Sequence, residues 1–350
     1  MTKTQKPNPL KNALKNSKPN SIFQKVWYLK FNDPSTQKAL WLRFNLLSSR
    51  NGFNRVAETW AVYFEKNSKN REIKKVALRQ RHEMTTASSQ DLASEQNTTI
   101  RIGECELSTQ LAQGHTKGSV QSKGNSIEWD LTFITGRKSS FQSIPKFFAR
   151  TNLVKNSITT PNEELFFSGT TTVNGEVTHW KDALGMLGFM QGSQSGDSWI
   201  WGHCNTFVNP QGKPVPFVFE GLSMKAKLGP LVTPALPSFY FSYQDQDYTF
   251  NSLRDSLQIR SKSTLNEWEF RVDRGELSFR GQIQATHKDF VGLTFEDTNG
   301  SLLYCANSKL ADMKIFVYRK GKLETTLTAD GTAAFEIVSR DKNPYVPLLI

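Results

Sequence analysis

Trp199, Trp201, His203 and Asn205 occupy alternate positions in the stretch SWIWGHCNTF. Side chains on a strand alternate between faces, so these four and Phe207 share one face, while Ile200, Gly202, Cys204, Thr206 and Val208 take the other. Two indoles, an imidazole and a carboxamide suit plain core packing poorly, because each polar tip needs a hydrogen-bond partner once buried. They suit a pocket wall, with flat rings to hold a ligand and polar tips to orient it. A single strand histidine is commonly structural. Here its company points to a ligand. Cys204 beside His203 does not make a nucleophile and base, since neighbouring strand residues face opposite ways.

Upstream, Gly185, Gly188, Gly192 and Gly196 predict a glycine-rich loop that permits a moving lid. Earlier still, KVWYLKFNDPSTQKALWLRFNLLSS reads as two strands around a turn at Asn32, Asp33 and Pro34. ETWAVYFE places Glu58 in line with Trp60, Val62 and Phe64; the cost of burying a carboxylate means a wet strand end or a partner that holds it, and the wet end is expected. Residues 66 to 99 are polar and charged with few turn signals, and REIKKVAL among them fits either a short strand or a helix. Pro145 and Pro161 mark a loop, and Asn174-Gly175 a tight hairpin. Six of the fourteen prolines fall between Pro210 and Pro237, which breaks the β pattern and places a domain boundary there. Beyond it, short alternating segments such as PSFYFSYQ, LNEWEFRV and MKIFVYRKG indicate an antiparallel sandwich or barrel. The expected organisation is a disordered basic tail over 1–22 and two all-β domains, 23–222 and 223–350.

The net charge of +12 is uneven: residues 1 to 150 carry 25 Lys and Arg against 11 acidic residues, and residues 151 to 350 carry 19 against 21. The excess lies in the first twenty residues and in Lys66 to Arg81. No recognised nucleic-acid module accompanies it, so no nucleic-acid partner is expected; attraction of the tail to an anionic membrane surface explains the charge as well. The tail lacks the apolar segment of a secretory signal, and no apolar run reaches the ~20 residues of a membrane span. Three widely spaced cysteines, Cys105, Cys204 and Cys305, argue against a disulfide framework or a zinc site and fit a reducing cytoplasm. P-loop, nucleophile elbow, HExxH and EF-hand patterns are all missing. No metal or organic cofactor is expected.

KVWYLKF with ALWLRFNLL, SGTTTVNGE, GMLGFMQG followed by WIWGHCNTF, FVFEG and YCANSKLADMKIFVY occur in an order and spacing that resembles the tandem lipocalin-like family of hydroxyneurosporene synthase (a carotenoid 1,2-hydratase), AttH-type proteins and tocopherol cyclase-like proteins. The resemblance covers nearly the whole chain after the tail. It implies two antiparallel lipocalin-like β-barrels packed together, holding a hydrophobic, isoprenoid- or polyketide-like molecule. It also implies hydration or cyclisation of an alkene, in which an acid delivers a proton and aromatic faces steady the cation. Trp199 and Trp201 fit that role. Where many relatives carry His-Asn-Trp-Gly, this chain has Phe189, Met190, Gln191 and Gly192, so a proton transfer by that histidine does not carry over. The remaining candidates for acid and base are His203, Asp182 and Glu220, with His203 first because it lies on the tryptophan face. Glu220 could equally accept backbone hydrogen bonds. Asn205, Phe189 and His179 complete the expected ligand-binding set. A non-catalytic carrier with the same pocket is the alternative, and a carbohydrate-binding or carbohydrate-processing protein a third.

Overall fold

The computed structural model describes residues 22–50, 55–84, 87–90, 97–110, 113–137, 139–144, 156–228 and 231–350. The expected tail, but for its last residue, lies outside them, as does Pro145.

Two large antiparallel sheets account for most of the described chain. The first follows the path Ile73–Glu83, Arg55–Lys66, Lys38–Ser48, Phe23–Asp33, Glu176–Gly192, Asn156–Val173, Asn125–Thr135, Gln113–Ser122, Cys105–Gln110, Asn97–Ile102 and Ala87–Gln90. The second follows Gln246–Phe250, Leu236–Tyr243, Val218–Lys225, Ser198–Cys204, Lys322–Ser339, Leu302–Arg319, Leu277–Gln284, Glu267–Arg274 and Arg260–Ser263. The sheets divide between Gly192 and Ser198. The strands Ser198–Cys204 and Val218–Lys225 therefore belong with the second sheet, and the proline-rich segment interrupts that sheet and does not separate it from the first.

Each sheet wraps a core of its own. Trp27, Leu29, Phe31, Leu42, Phe44, Trp129 and Phe167 fill the first, and Phe219, Phe239, Phe241, Trp268, Phe270 and Phe279 the second. Burial of each such side chain contributes about 1.5–3 kcal/mol. A further apolar layer lies between the sheets, where Trp41, Trp60, Val62 and Phe64 meet Leu293, Phe295, Leu303 and Val338. The strands that meet there are buried on both faces. This has a chemical consequence: polar residues on their outward faces are enclosed as well.

Of the strand and helix left open for REIKKVAL, the strand forms: Ile73–Glu83 continues the first sheet. Three sequence expectations are corrected. Gly185, Gly188 and Gly192 lie within the strand Glu176–Gly192, not in a loop. The glycine at 188 has a packing reason, since the Tyr28 ring lies over it and an added Cβ would fall 2.1 Å from the ring's Cζ. Pro161 sits inside the strand Asn156–Val173, at register shifts between Thr159 and Asn162 and between Asn162 and Leu165. Glu58 is not at a wet end. It is 2% exposed, accepts from Asn45 Nδ2 at 2.9 Å and Trp60 Nε1 at 3.2 Å, and pairs with Arg81 at 2.8 Å.

Candidate functional site

The strand Ser198–Cys204 turns Trp199, Trp201 and His203 toward the first sheet, and Asn205 follows just past its end. Phe207 departs from this face and joins the second sheet's core. The residues that meet them come from the outward faces of Phe23–Asp33 (Tyr28, Lys30, Asn32) and Asn156–Val173 (Thr160, Glu163). Lys30, Asn32, Thr160, Glu163, His203 and Glu220 are all fully buried. Trp201 Nε1 donates to Glu220 Oε1 at 2.7 Å. His203 Nε2 lies 3.2 Å from the Glu163 carbonyl oxygen, and Asn205 Nδ2 donates to the Gly185 carbonyl at 2.9 Å. Lys30 Nζ donates to Asn32 Oδ1 at 3.2 Å, and Asn32 Nδ2 to the Lys309 carbonyl at 2.6 Å.

The cluster is only partly satisfied. Both carboxyl oxygens of Glu163, Glu220 Oε2, His203 Nδ1, Asn205 Oδ1 and Thr160 Oγ1 lack a well-formed hydrogen bond. Orphaned buried polar atoms cost about 1–3 kcal/mol each, more when charged, so their concentration at one place marks it as something other than core. Glu163 reaches the cluster because of the irregular pairing at Pro161. Simple alternation would place it with Leu165 and Phe167 in the first sheet's core, whereas the bulge turns it toward the second sheet.

Burial pushes the Glu163 carboxyl well above the usual carboxylate range, and the charge of Glu220 pushes it further. Burial raises Glu220 too, but the polar groups of Glu163 and Thr160, close by without a well-formed hydrogen bond, and the donating Trp201 indole oppose the rise. Two carboxyls that act on each other in a dry site cannot both ionise, and the indole N–H favours the anion on Glu220. Glu163 is then the protonated partner. Burial, reinforced by the charge on Lys30, drives His203 well below its ordinary value, so the imidazole is neutral. Burial also brings Lys30 down to about 8.

Beside the cluster is a narrow cavity of about 80 Å³, walled by Val26, Tyr28, Trp41, Arg43, Ile158, Met190, Trp199, Trp201, Leu222, Phe295 and Glu336, with Gln24 and Ser195 completing it. Tyr28 and Trp201 belong to both: they line the cavity edge to face at 5.9 Å, and Glu220 acts on both side chains. Behind the wall, Lys309 Nζ lies 5.3 Å from the Trp41 and Trp201 ring centres and 3.5 Å from Glu336 Oε2. A larger open cleft of about 1140 Å³ runs past Lys66, Arg71, Lys288 and Asp312. Its walls are charged and solvated, and none of the orphaned acids lies there, so the smaller cavity is the better site.

The fold, as distinct from the site, is found in a solved structure. Over 94% of this chain and 93% of the other, the structure superposes on kievitone hydratase from Nectria haematococca with a TM-score of 0.52 at 12% identity. The two share a fold. A candidate AttH from Nitrosomonas europaea aligns over 93% of this chain and 94% of its own with a TM-score of 0.48 at 10% identity. No protein-family model and no curated protein sequence matches the chain. The all-β architecture of two large antiparallel sheets agrees with the fold class expected from the sequence.

The sequence-derived residues separate into groups. Trp199, Trp201, His203, Asn205 and Glu220 come together between the sheets. Phe189 points into the first sheet's core, where its ring lies 5.1 Å from that of Trp27. His179 and Asp182 are exposed on the strand Glu176–Gly192, away from the cluster. Asp182 has a positive φ of 51° and donates its N–H to Ser168 Oγ at 3.1 Å, where the pairing opposite Phe167 and Gly169 is irregular. Missed by sequence reasoning were Tyr28, Lys30, Arg43, Glu163, Lys309 and Glu336. Lysines inside otherwise apolar strands, KVWYLKF and ANSKLADM, were the available signal. All three cysteines are free and buried. Among the described residues no helix is long and apolar enough to cross a membrane, and no His, Cys, Asp and Glu cluster could hold a metal ion.

Proposed function

We propose that the protein binds a hydrophobic small molecule in the cavity between its sheets and adds water across a carbon–carbon double bond. The observation that carries this reading is the buried Glu163–Glu220 pair directly behind Tyr28 and Trp201. A proton held by Glu163 passes by way of Glu220 and the Thr160 and Tyr28 hydroxyls to one alkene carbon, whose π electrons form the new C–H bond. Trp199 and Trp201 face the resulting cation. Water forms the C–O bond at the other carbon, and the proton it sheds returns to the carboxylate pair. His203 acts here as a positioning residue, fixing the Glu163 backbone. The fold shared with a hydratase supports the assignment; cyclisation would use the same proton without the water.

The carrier alternative leaves the acid pair without a use. The carbohydrate alternative meets a wall of Val26, Ile158, Met190, Leu222 and Phe295, which offers few partners for hydroxyls. At about 80 Å³ the cavity holds only two or three waters, so a ligand enters by displacing flexible wall residues such as Met190.

The test begins with organic extraction of protein purified from its own host and mass analysis of the released molecule. Glu220→Gln and Tyr28→Phe are expected to lower turnover of that molecule by about 10²–10⁴-fold while its quenching of tryptophan fluorescence changes little. A ligand that wild type never converts would leave the carrier; a protein quenched by no isoprenoid or lipid would refute the cavity.

A further inference from the structure

Arg43 is the least expected member of the cavity wall. It lies at the centre of the strand Lys38–Ser48, between Tyr28 and Trp60 on the adjoining strands, and is 5% exposed. Among the described residues its guanidinium forms no ion pair, and its Nε is buried without a partner. Its contacts are ring faces: the guanidinium carbon stands 4.2 Å from the centre of Phe295 and 5.2 Å from that of Trp60.

The nearby carboxylates are engaged elsewhere. Glu58 takes Arg81 at 2.8 Å together with Asn45 and Trp60. Glu336 takes Asn307 Nδ2 at 2.7 Å and Lys309 at 3.5 Å. Both influence Arg43 through space, yet neither reaches its fork. A buried guanidinium with five donors and no acceptor is costly, and ring stacking satisfies its charge only in part. The cavity is the open side of that fork.

We infer that the cavity's ligand is amphipathic: a hydrophobic body along Trp199, Trp201, Met190 and Leu222, ending in an oxyanion, a carboxylate or an acidic enol or phenol, that docks on Arg43. Planar oxyanions accept two parallel N–H bonds from this group, which a neutral alkene cannot do. The inference rests on the cavity reading above and adds the ligand's polarity and its direction of entry, head group toward the strand Lys38–Ser48.

Tryptophan quenching by matched acid and ester pairs tests it on the full chain at neutral pH, with geranic acid against methyl geranate and decanoic acid against methyl decanoate. Wild type is expected to bind each acid about tenfold or more tighter than its ester. Arg43→Met should bring the two within about twofold, chiefly by weakening the acid, with ester affinity serving as the control for an intact cavity. Equal binding of acid and ester by wild type overturns the inference and leaves the cavity standing. An acid preference that survives in Arg43→Met overturns the assignment to Arg43. Failure of every probe to bind removes the cavity reading and this inference with it. Should the variant not fold, the wild-type ratio alone decides.

Discussion

His203 Nε2 lies 3.2 Å from the carbonyl oxygen of Glu163 and 3.5 Å from its Oε2, so an imidazole of the second sheet is tied to an acid of the first. On its own sheet His203 stands directly opposite Glu220. One side chain thus registers both members of the acid pair.

If that registration is the role of His203, removing the ring should cost stability and its hydrogen bond should be replaceable. His203→Ala is expected to lose about 1–3 kcal/mol in urea unfolding. His203→Gln, which keeps an N–H donor, should recover part of both stability and turnover. Were the imidazole itself the proton carrier, the glutamine variant would regain stability but no activity.

The ionisation of Glu163 leaves a mark on stability. A carboxyl with a raised folded pKa keeps its proton longer folded than unfolded, so its contribution is complete below the ordinary value of 4.5 and is lost as pH climbs through the folded value. Glu163→Gln stays neutral throughout. Its urea midpoint should therefore decline less than that of wild type above pH 4.5, and equal slopes would refute the assignment.

Lys30 has the opposite sign. Its folded value of about 8 lies below the ordinary 10.5, so unfolding takes up a proton between them and stability rises with pH across that window. Below it the buried amine is a fixed cost. Lys30→Met should stabilise the protein at neutral pH by about 1–3 kcal/mol, with the gain gone by pH 10.5. Stability lost at neutral pH would show that Lys30 holds the acids together more than burial penalises it.

Gly188→Ala tests the cavity wall without replacing an ionisable group. The new methyl must push the Tyr28 ring off the strand, at a cost of about 1–3 kcal/mol for overpacking. Because Tyr28 packs against Trp201, the emission of the buried tryptophans should shift too. Destabilisation with unchanged emission and unchanged ligand quenching would separate Tyr28 from the site.

The face carrying Trp199, Trp201, His203 and Asn205 was legible because it follows the two-residue period of a strand. Glu58 and Lys30 were not, for one shared reason. Alternation tells one face from the other but cannot say that the face opposite the core is water. Here it is a second protein layer, so charges that read as solvated are enclosed. Glu163 was hidden differently: its spacing from Leu165 and Phe167 reads as core, and only the irregular pairing near Pro161 undoes that parity. Phe189, assigned to the ligand through a family motif, follows its strand into the first core. The division between the sheets was misplaced because proline density also marks a long connection within one sheet.

The bulge at Pro161 makes the acid separable from the architecture. Between Thr159 and Leu165 this strand takes six steps against four on its partner, so deleting two residues there would restore ordinary pairing and rotate Glu163 away from Glu220, with every strand of both sheets still in place. A lineage could acquire or silence a buried proton donor here by a two-codon insertion or deletion, so proteins of this shape with and without chemistry can lie one indel apart.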